Sequence, residues 1–518
     1  MLPLGLFSLT PLYQYGNWNL PGREIKKMPP SSFLAFDIGA ASSRAVLGLL
    51  EDERLSIKEI SRFPNDMLSI HGHLYWNIYR LFEEIKYGLT VSANEIRIQG
   101  VAIDTWGVDF GFLAEDGTIL GLPHSYRDPH TKGSMEEFFK KISKERIYEL
   151  TGIQFLPLNT LFQLFALKRN ESSLLKNAHD LLFMPDLFNY LLTREKKTEF
   201  TFATTSQLYN PRKAGWEGEL FDALGISESL MQEVVQPGTI IGTLIPEISR
   251  PLGWRAIPVI AVATHDTGSA IAAVPAQGQD WAYISSGTWS LLGVETKEPI
   301  INNQAMELNF TNEGGIEGTF RFLKNIAGLW LLQECRKVWA VRCDYSYEEL
   351  NNLALEARPF QSFIDPDWEG FLCPANMPEA IRAYCKSTGQ TVPEMPSEFS
   401  RCIFESLALK YRMVLDQLTK IYPHPIRKIH VIGGGANNRL LCQFTADASG
   451  LPVYAGPAEA TSIGNIMMQA FTQGYLQSLK EMREVIRNSF KVTFFEPREH
   501  EDWERAYGRF REIIRRNL

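Results

Sequence analysis

Two stretches of this chain are written to nearly the same plan. FLAFDIGAASSRAVLGLL, residues 33–50, and WAYISSGTWSLLGVE, residues 281–295, each read as an apolar strand, a turn of small and hydroxyl residues, and a second apolar strand. Each predicts a β-hairpin, and the recurrence predicts a chain that starts a similar domain twice. The length of 518 residues requires the same division, because single hydrophobic cores stop growing at about 250–300 residues. The boundary is expected near Ala272 to Gly278, giving units of residues 31–274 and 275–518. No low-complexity linker joins them, so a shared interface and cleft are expected.

Strand and helix signals alternate between and after the hairpins. Helices are expected from Tyr75 to Leu89, from Met135 to Leu150, from Asn159 to Arg169, from Pro185 to Leu192 and from Pro396 to Ile421. LKNIAGLWLLQECRKVW also reads as helical, IRIQGVAID as a strand, and DTWGVDFGFLAEDG as a further hairpin. The strand IPVIAVAT delivers His265 and Asp266 at its C-terminal end, where α/β enzymes place chemistry. Residues 1–30 carry Pro3, Pro11, Pro21, Pro29 and Pro30 without periodicity and read as an irregular extension, with Met28 as a second candidate start.

A net charge of -8 leaves no broad basic footprint, which argues against nucleic acid or an anionic membrane surface as the main partner. The apolar start Leu2 to Leu12 is broken by Pro3, Ser8, Thr10 and Pro11 and lacks the basic residues of a signal peptide, so a cytoplasmic protein is expected. The six cysteines form no C-x-x-C pair, which favours reduced thiols over a zinc site and leaves a Cys373–Cys385 disulfide open.

Turns of Gly, Ala, Ser and Thr between rigid strands let backbone N–H groups approach a phosphate. In the first hairpin Asp37, a carboxylate suited to hydrated Mg²⁺, precedes Gly39, Ala40, Ala41, Ser42, Ser43 and Arg44. The second hairpin offers Ser285, Ser286, Gly287 and Thr288, and a third candidate is Gly433, Gly434 and Gly435 before Ala436 and Asn437. Each also reads as an ordinary tight turn. No Gly-Lys dipeptide occurs, so a Walker A loop is absent. Asp266 is the candidate base for phosphoryl transfer, with a helix N-cap as its structural reading. Asp104, Trp106, Gly107 and Asp109 combine an aromatic wall with carboxylates, as sugar sites do, or else form a half-buried strand end.

Taken in order, IDTWGVDF, GIQFLPLNTLFQL, MPDLFNYLLT, VATHDTGSA, SSGTWSLLG, TNEGGIEG, LKNIAGLWLLQ, SRCIFESLAL and HVIGGGANN resemble the carbohydrate kinases of the actin-like ATPase fold, over roughly residues 33–490. The resemblance implies two actin-like (ribonuclease H-like) α/β domains, each a mixed β-sheet flanked by helices, closing on an active-site cleft with sugar on the first and ATP on the second. It implies phosphorylation of L-rhamnulose to L-rhamnulose 1-phosphate by ATP with Mg²⁺, with L-fuculose or D-xylulose as alternative substrates, in a monomer or small homo-oligomer. By the same resemblance Asp266 is the proton acceptor, and His265, Thr267, Gly107 and Asn325 lie near the sugar. Ala40, Ala41, Ser42, Ser43, Arg44, Thr288, Gln333, Gly434 and Gly435 contact ATP, and Asp37 lies near Mg²⁺. The family's first turn reads D-L-G-A-S-S-G-R; residues 37–44 read D-I-G-A-A-S-S-R, with Ala41 for a serine and Ser43 for the second glycine. An actin-like ATPase machine or a sugar-binding regulator would share the hairpins without needing Asp266 as a base.

Overall fold

The computed structural model describes residues 30–498 and 501–515. The expected irregular segment therefore lies outside the described residues except for Pro30. Strands β1 (Ser31–Ile38), β2 (Ser42–Glu51), β3 (Arg54–Pro64), β4 (Gly100–Thr105), β5 (Thr239–Thr243) and β6 (Pro258–Ala261) form one sheet in the order β5-β6-β4-β1-β2-β3. Strands β7 (Trp281–Ser286), β8 (Trp289–Thr296), β9 (Thr311–Gly314), β10 (Phe320–Ala327), β11 (Lys428–Ile432), β12 (Val453–Ala455) and β13 (Thr493–Phe495) form another in the order β9-β10-β8-β7-β11-β12-β13.

Apart from the added edge strand β9, the sheets repeat one another strand for strand. In the first, β3, β2 and β1 are antiparallel neighbours, β1, β4 and β6 are parallel, and β5 returns antiparallel. In the second, β10, β8 and β7 are antiparallel, β7, β11 and β12 are parallel, and β13 returns antiparallel. The twin hairpins of the sequence are β1/β2 and β7/β8.

Strand β1 is buried along its whole length, which is why SSFLAFDI is a near-continuous apolar run rather than an alternating one. Its Phe33 and Ala35 pack with Ile463 and Ile466 of helix α2 (Ala460–Thr472), and its Leu34 and Phe36 with Ile85 and Leu89 of the helix Ile78–Ala93. Helix α2 thus covers the first sheet although it lies late in the chain. Gln469 of α2 donates to the Leu34 carbonyl at 3.0 Å, and Asn465 to Asp104 Oδ2 at 2.6 Å. α2 also crosses helix α1 (Asp266–Ala272) so closely that a methyl group at Gly464 would lie 1.8 Å from the Ser269 carbonyl oxygen.

Four elements differ from the sequence expectation. The helix expected from Tyr75 starts at Ile78, because His73–Trp76 pairs with Met67–Ile70 as a hairpin and Asn77 caps the helix by accepting from the Arg80 N–H. The span Met135–Leu150 divides into helices Ser134–Phe138 and Lys144–Thr151, the second capped by Ser143. LKNIA is not helical: it belongs to β10, and the helix begins at Trp330 after Gly328. The segment after β4 leaves the first sheet at Val108, which takes a φ of 70°, and Phe110–Leu113 pairs instead with Ile119–Leu120 and Asp180–Phe183. The six cysteines are free, so the Cys373–Cys385 pairing is not formed. No helix among the described residues is long and apolar enough to cross a membrane.

Candidate active site

The mouths of both hairpins open into one cleft of about 560 Å³ between the two sheets. One wall carries Asp37, the turn Gly39–Ser42, Arg44, Trp106, Gly107, His265, Asp266 and Thr267; the other carries Ser285 to Trp289, Glu313, Asn325, Gln333, Gly433 and Gly434. Most of these residues lie at or near strand ends or in hairpin turns facing the same gap, and Gln333 reaches it from the first turn of the helix Trp330–Trp339. A second cavity, of about 470 Å³ beside Leu167, Lys168, His179 and Ile226, has no comparable convergence of acids and turns.

Asp266 is the first residue of α1, and His265 occupies the N-cap position without a side-chain cap bond. The Asp266 carboxylate accepts from the Thr267 hydroxyl at 3.1 Å, and its side chain keeps 29 % exposure, toward the cleft it lines. Burial raises its pKa above the ordinary carboxylate value; the charge of Asp37 adds to this and His265 opposes it.

The segment that presents Asp266 is held from behind by a buried acid. Glu199 accepts from Thr264 N at 3.0 Å, Thr264 Oγ1 at 2.8 Å and Thr201 N at 2.8 Å, and also from the Thr201 hydroxyl. Thr201 Oγ1 in turn accepts from His265 N at 3.2 Å, and the Thr264 carbonyl accepts from Thr105 N at 2.9 Å, tying the segment to β4.

His265 bridges the two walls. Arg321 of β10 donates from Nη2 to His265 Nδ1 at 3.1 Å. The same Nδ1 lies 3.3 Å from Glu313 Oε2, and the ring's Nε2 lies 3.6 Å from Asp266 Oδ1. Arg321 is fully buried, pairs with Glu313 at 3.2 Å and donates to the Gly314 carbonyl at 2.8 Å. Burial works against the Glu313 charge, yet Arg321 beside it holds that carboxyl below its ordinary value. Asn325 is fixed by Gln154, whose Oε1 accepts from its N at 2.9 Å and its Nδ2 at 3.2 Å.

At the opposite end Arg44 donates to Asp37 Oδ2 from Nε at 3.0 Å and Nη2 at 2.7 Å, and also pairs with Glu459. Ser462 donates to the same Asp37 oxygen at 3.2 Å. The turn is pinned by Asn65, which donates to the carbonyls of Gly39 at 3.0 Å and Ala41 at 3.3 Å. Ala40, Ala41 and Ser42 face the cleft, whereas Ser43 pairs with Ile38 in the hairpin and is fully buried. The unusual serine at this position therefore sits behind the turn.

Across the cleft Thr288 donates to Gln333 at 3.3 Å, and both line the cavity. Gly434 faces open space, but Gly435 lies against the second hairpin, where a methyl group would sit 2.0 Å from Ser286 Oγ. Ser43 and Gly435 thus stand behind the surface that the sequence assigns them to.

Two further candidates do not reach the cleft. Asp104 is fully buried on β4, beside Asp37 in the parallel register, and takes its hydrogen bond from Asn465. Asp109 is also fully buried; it accepts from Trp76 Nε1 at 2.6 Å, Trp106 Nε1 at 2.9 Å, Tyr126 N at 3.0 Å and Gln163 Nε2 at 2.9 Å. It orients Trp106, which lines the cavity in its place. Sequence reading missed Glu199, Glu313, Arg321 and Gln154. Glu313 and Gln154 lie inside the quoted runs TNEGGIEG and GIQFLPLNTLFQL; Glu199 and Arg321 carry no local signal.

Residues 32–272 match the model of the FGGY family of carbohydrate kinases, N-terminal domain, and residues 282–472 that of the C-terminal domain. A curated relative named Rhamnulokinase, from Bacteroides thetaiotaomicron, is 50 % identical over 485 residues, 93 % of this chain and 99 % of that one. Another so named, from Bacillus subtilis, is 41 % identical over 472 residues, 90 % of this chain and 96 % of that one. Among solved structures, gluconate kinase from Lactobacillus acidophilus superposes with a TM-score of 0.77 at 16 % identity, covering 94 % of this chain and 98 % of that one. Plasmodium falciparum glycerol kinase with ADP gives 0.75 at 15 % identity, covering 94 % and 98 %. These two structural likenesses bear on the fold alone.

Proposed function

The chain belongs to the FGGY family of carbohydrate kinases, and from that membership we propose that it transfers the γ-phosphoryl group of ATP to L-rhamnulose, with Asp266 as general base. The observation that carries the mechanism is the place of Asp266: a partly exposed acid of raised pKa between sugar-type neighbours and two phosphate-type turns. The common name of the relatives points to L-rhamnulose as the sugar and L-rhamnulose 1-phosphate as the product.

In this reading the sugar lies against Trp106, Gly107, His265, Thr267 and Asn325. Its attacking hydroxyl gives its proton to Asp266 as the oxygen bonds to the γ-phosphorus and the bond to the ADP oxygen breaks. His265, held between Arg321 and Glu313, presents its Nε2 to the acid at 3.6 Å. Ala40 to Ser42, Thr288, Gln333 and Gly434 receive the nucleotide, and Ser43, Arg44 and Gly435 shape its walls. Asp37 suits a hydrated Mg²⁺, because the side-chain bonds it accepts from Arg44 and Ser462 fall on Oδ2 and leave Oδ1 for water on the ion. Mg²⁺, when bound, neutralises phosphate charge.

The domains in this reading are residues 31–274 and 275–518, with the cleft between them; the enzyme is cytoplasmic and acts as a monomer or small homo-oligomer. ADP release measured with Mg·ATP against L-rhamnulose, L-fuculose, D-xylulose, L-ribulose and glycerol tests it. The highest kcat/KM is expected for L-rhamnulose. A sugar-independent ATPase, or preference for another acceptor, rejects the substrate assignment.

A further inference from the structure

Away from the cleft, three imidazoles converge on one carboxylate. His73 lies at the start of the hairpin strand His73–Trp76, and His124, Asp128 and His130 lie on the segment that runs beside it, where Tyr75 bridges to His124. The Nδ1 atoms of His73, His124 and His130 stand 3.2, 3.6 and 2.7 Å from Asp128 Oδ1. The His130 contact is an ordinary hydrogen bond and the His73 contact also falls within hydrogen-bond range; Asp128 further accepts from His130 N at 2.9 Å and from Leu74 N at 2.5 Å.

The His124 contact is different in kind. At 3.6 Å it is too long for a hydrogen bond, and His124 Nδ1 is buried without a hydrogen-bond partner. A buried ring nitrogen left bare opposite a carboxylate is costly unless something sits between them. Metal bonds of about 2.0–2.1 Å at a tetrahedral angle place neighbouring ligand atoms roughly 3.3 Å apart. The separations of 3.2 and 3.6 Å bracket that spacing, and ligand atoms of His73, His124 and Asp128 all lie within 4.8 Å of one another.

We propose that His73, His124 and Asp128 form a binding site for one divalent transition-metal cation of the zinc class, separate from the Mg·ATP site. His73 is half exposed, which leaves a fourth position open to water. Two imidazoles and one carboxylate suit Zn²⁺ and its neighbours, whereas Mg²⁺ prefers oxygen donors throughout. His130 orients the ligating carboxylate through its ring N–H and is not itself a ligand. The ion joins the hairpin strand His73–Trp76 to the segment ending in His130. Trp76 bonds Asp109, which also holds Trp106, and Tyr126 lines the cleft, so the site braces the outer side of the sugar wall.

The test uses the full-length protein carrying Cys343→Ser and Cys373→Ser, which removes the two exposed thiols as competing ligands. Co²⁺ is titrated in the presence of excess Mg²⁺ and without ATP. One Co²⁺ per chain is expected, with the visible absorption of a four-coordinate ion, displaced by Zn²⁺. His73→Ala and His124→Gln are each expected to weaken binding by at least about 10-fold, and His130→Gln by about 10-fold, within the range typical of an outer partner. Thermal melts of His73→Ala without metal show that its fold is kept. Absence of Co²⁺ binding in the parent, or binding unchanged in His73→Ala and His124→Gln, overturns the proposal.

Discussion

Thr264 gives both its main-chain N–H and its hydroxyl to one carboxylate oxygen of Glu199, at 3.0 and 2.8 Å. Glu199 is fully buried and one residue, His265, separates its partner from Asp266, so the acid acts through the backbone it holds. Glu199→Ala strands several buried donors, each costing about 1–3 kcal/mol, and is expected to lower the melting temperature and kcat together. Glu199→Gln keeps one acceptor oxygen and is expected to recover most of the stability. Steady-state kinetics beside thermal melts check this, and an Ala variant with normal stability and kcat refutes the positioning role.

Asp266 must be ionised to accept a proton, and its pKa is raised by burial. Activity is therefore expected to rise with pH through an acid limb whose midpoint lies above the ordinary value of about 3.9. Asp266→Asn is expected to lower kcat by about 10² to 10⁴-fold and to remove that limb, with ATP affinity unchanged. A pH profile of kcat/KM for both proteins decides the matter; a limb that persists in the variant belongs to another group.

Asp109 accepts four hydrogen bonds, yet burial still pushes it up to about 6. A carboxyl whose folded pKa exceeds its unfolded one binds more protons when folded, so its share of stability falls as pH rises from about 4 to about 6 and is level above that. Relative to Asp109→Asn, the wild type is expected to lose on the order of 3 kcal/mol across this window, at about 1.4 kcal/mol per pH unit. Urea titrations at a series of pH values measure the difference, and a pH-independent gap contradicts it.

Gly434 and Gly435 are adjacent but face different surroundings. A methyl group at 434 meets nothing within 4 Å and projects into space that lines the cleft; at 435 it lies 2.0 Å from Ser286 Oγ. Gly434→Ala is expected to raise KM for ATP several-fold at unchanged melting temperature. Gly435→Ala is expected to lower the melting temperature as well, because the glycine turn must part from the second hairpin. Equal effects on both quantities in the two variants would contradict this division.

The twin hairpins were legible because their information is local: strand periodicity on either side of a small-residue turn. LKNIA was not, since Leu323, Ile326 and Leu331 fit a helical spacing as well as a strand leading into a helix. Pairing of β10 with β8, in the register Leu292 to Lys324 that spans 32 positions, decides the matter, and no window on β10 contains it. The site divides the same way. Asp266 and the turns announce themselves by composition and family resemblance. Glu199 and Arg321 are single charged residues in unremarkable surroundings, and their roles exist only through partners 65 and 56 positions away. Asp109 shows the reverse error, because an acid beside a tryptophan looks like a sugar ligand until the indole N–H is found bonded to it.

The crossing of α1 and α2 at Ser269 and Gly464 lies about one turn from the start of each helix. With backbone against backbone there is no side chain to compress, so the two helices are expected to behave like scissor blades on a fixed rivet. One tip is Asp266; the other is Glu459, the partner of Arg44 and through it of Asp37. A change in the angle between the blades alters the gap between the acid proposed to take the proton and the acid proposed to face the phosphates, with a lever arm of only about 5 Å. Bulk at Gly464 would force the rivet apart and spoil that alignment from a position that touches neither substrate.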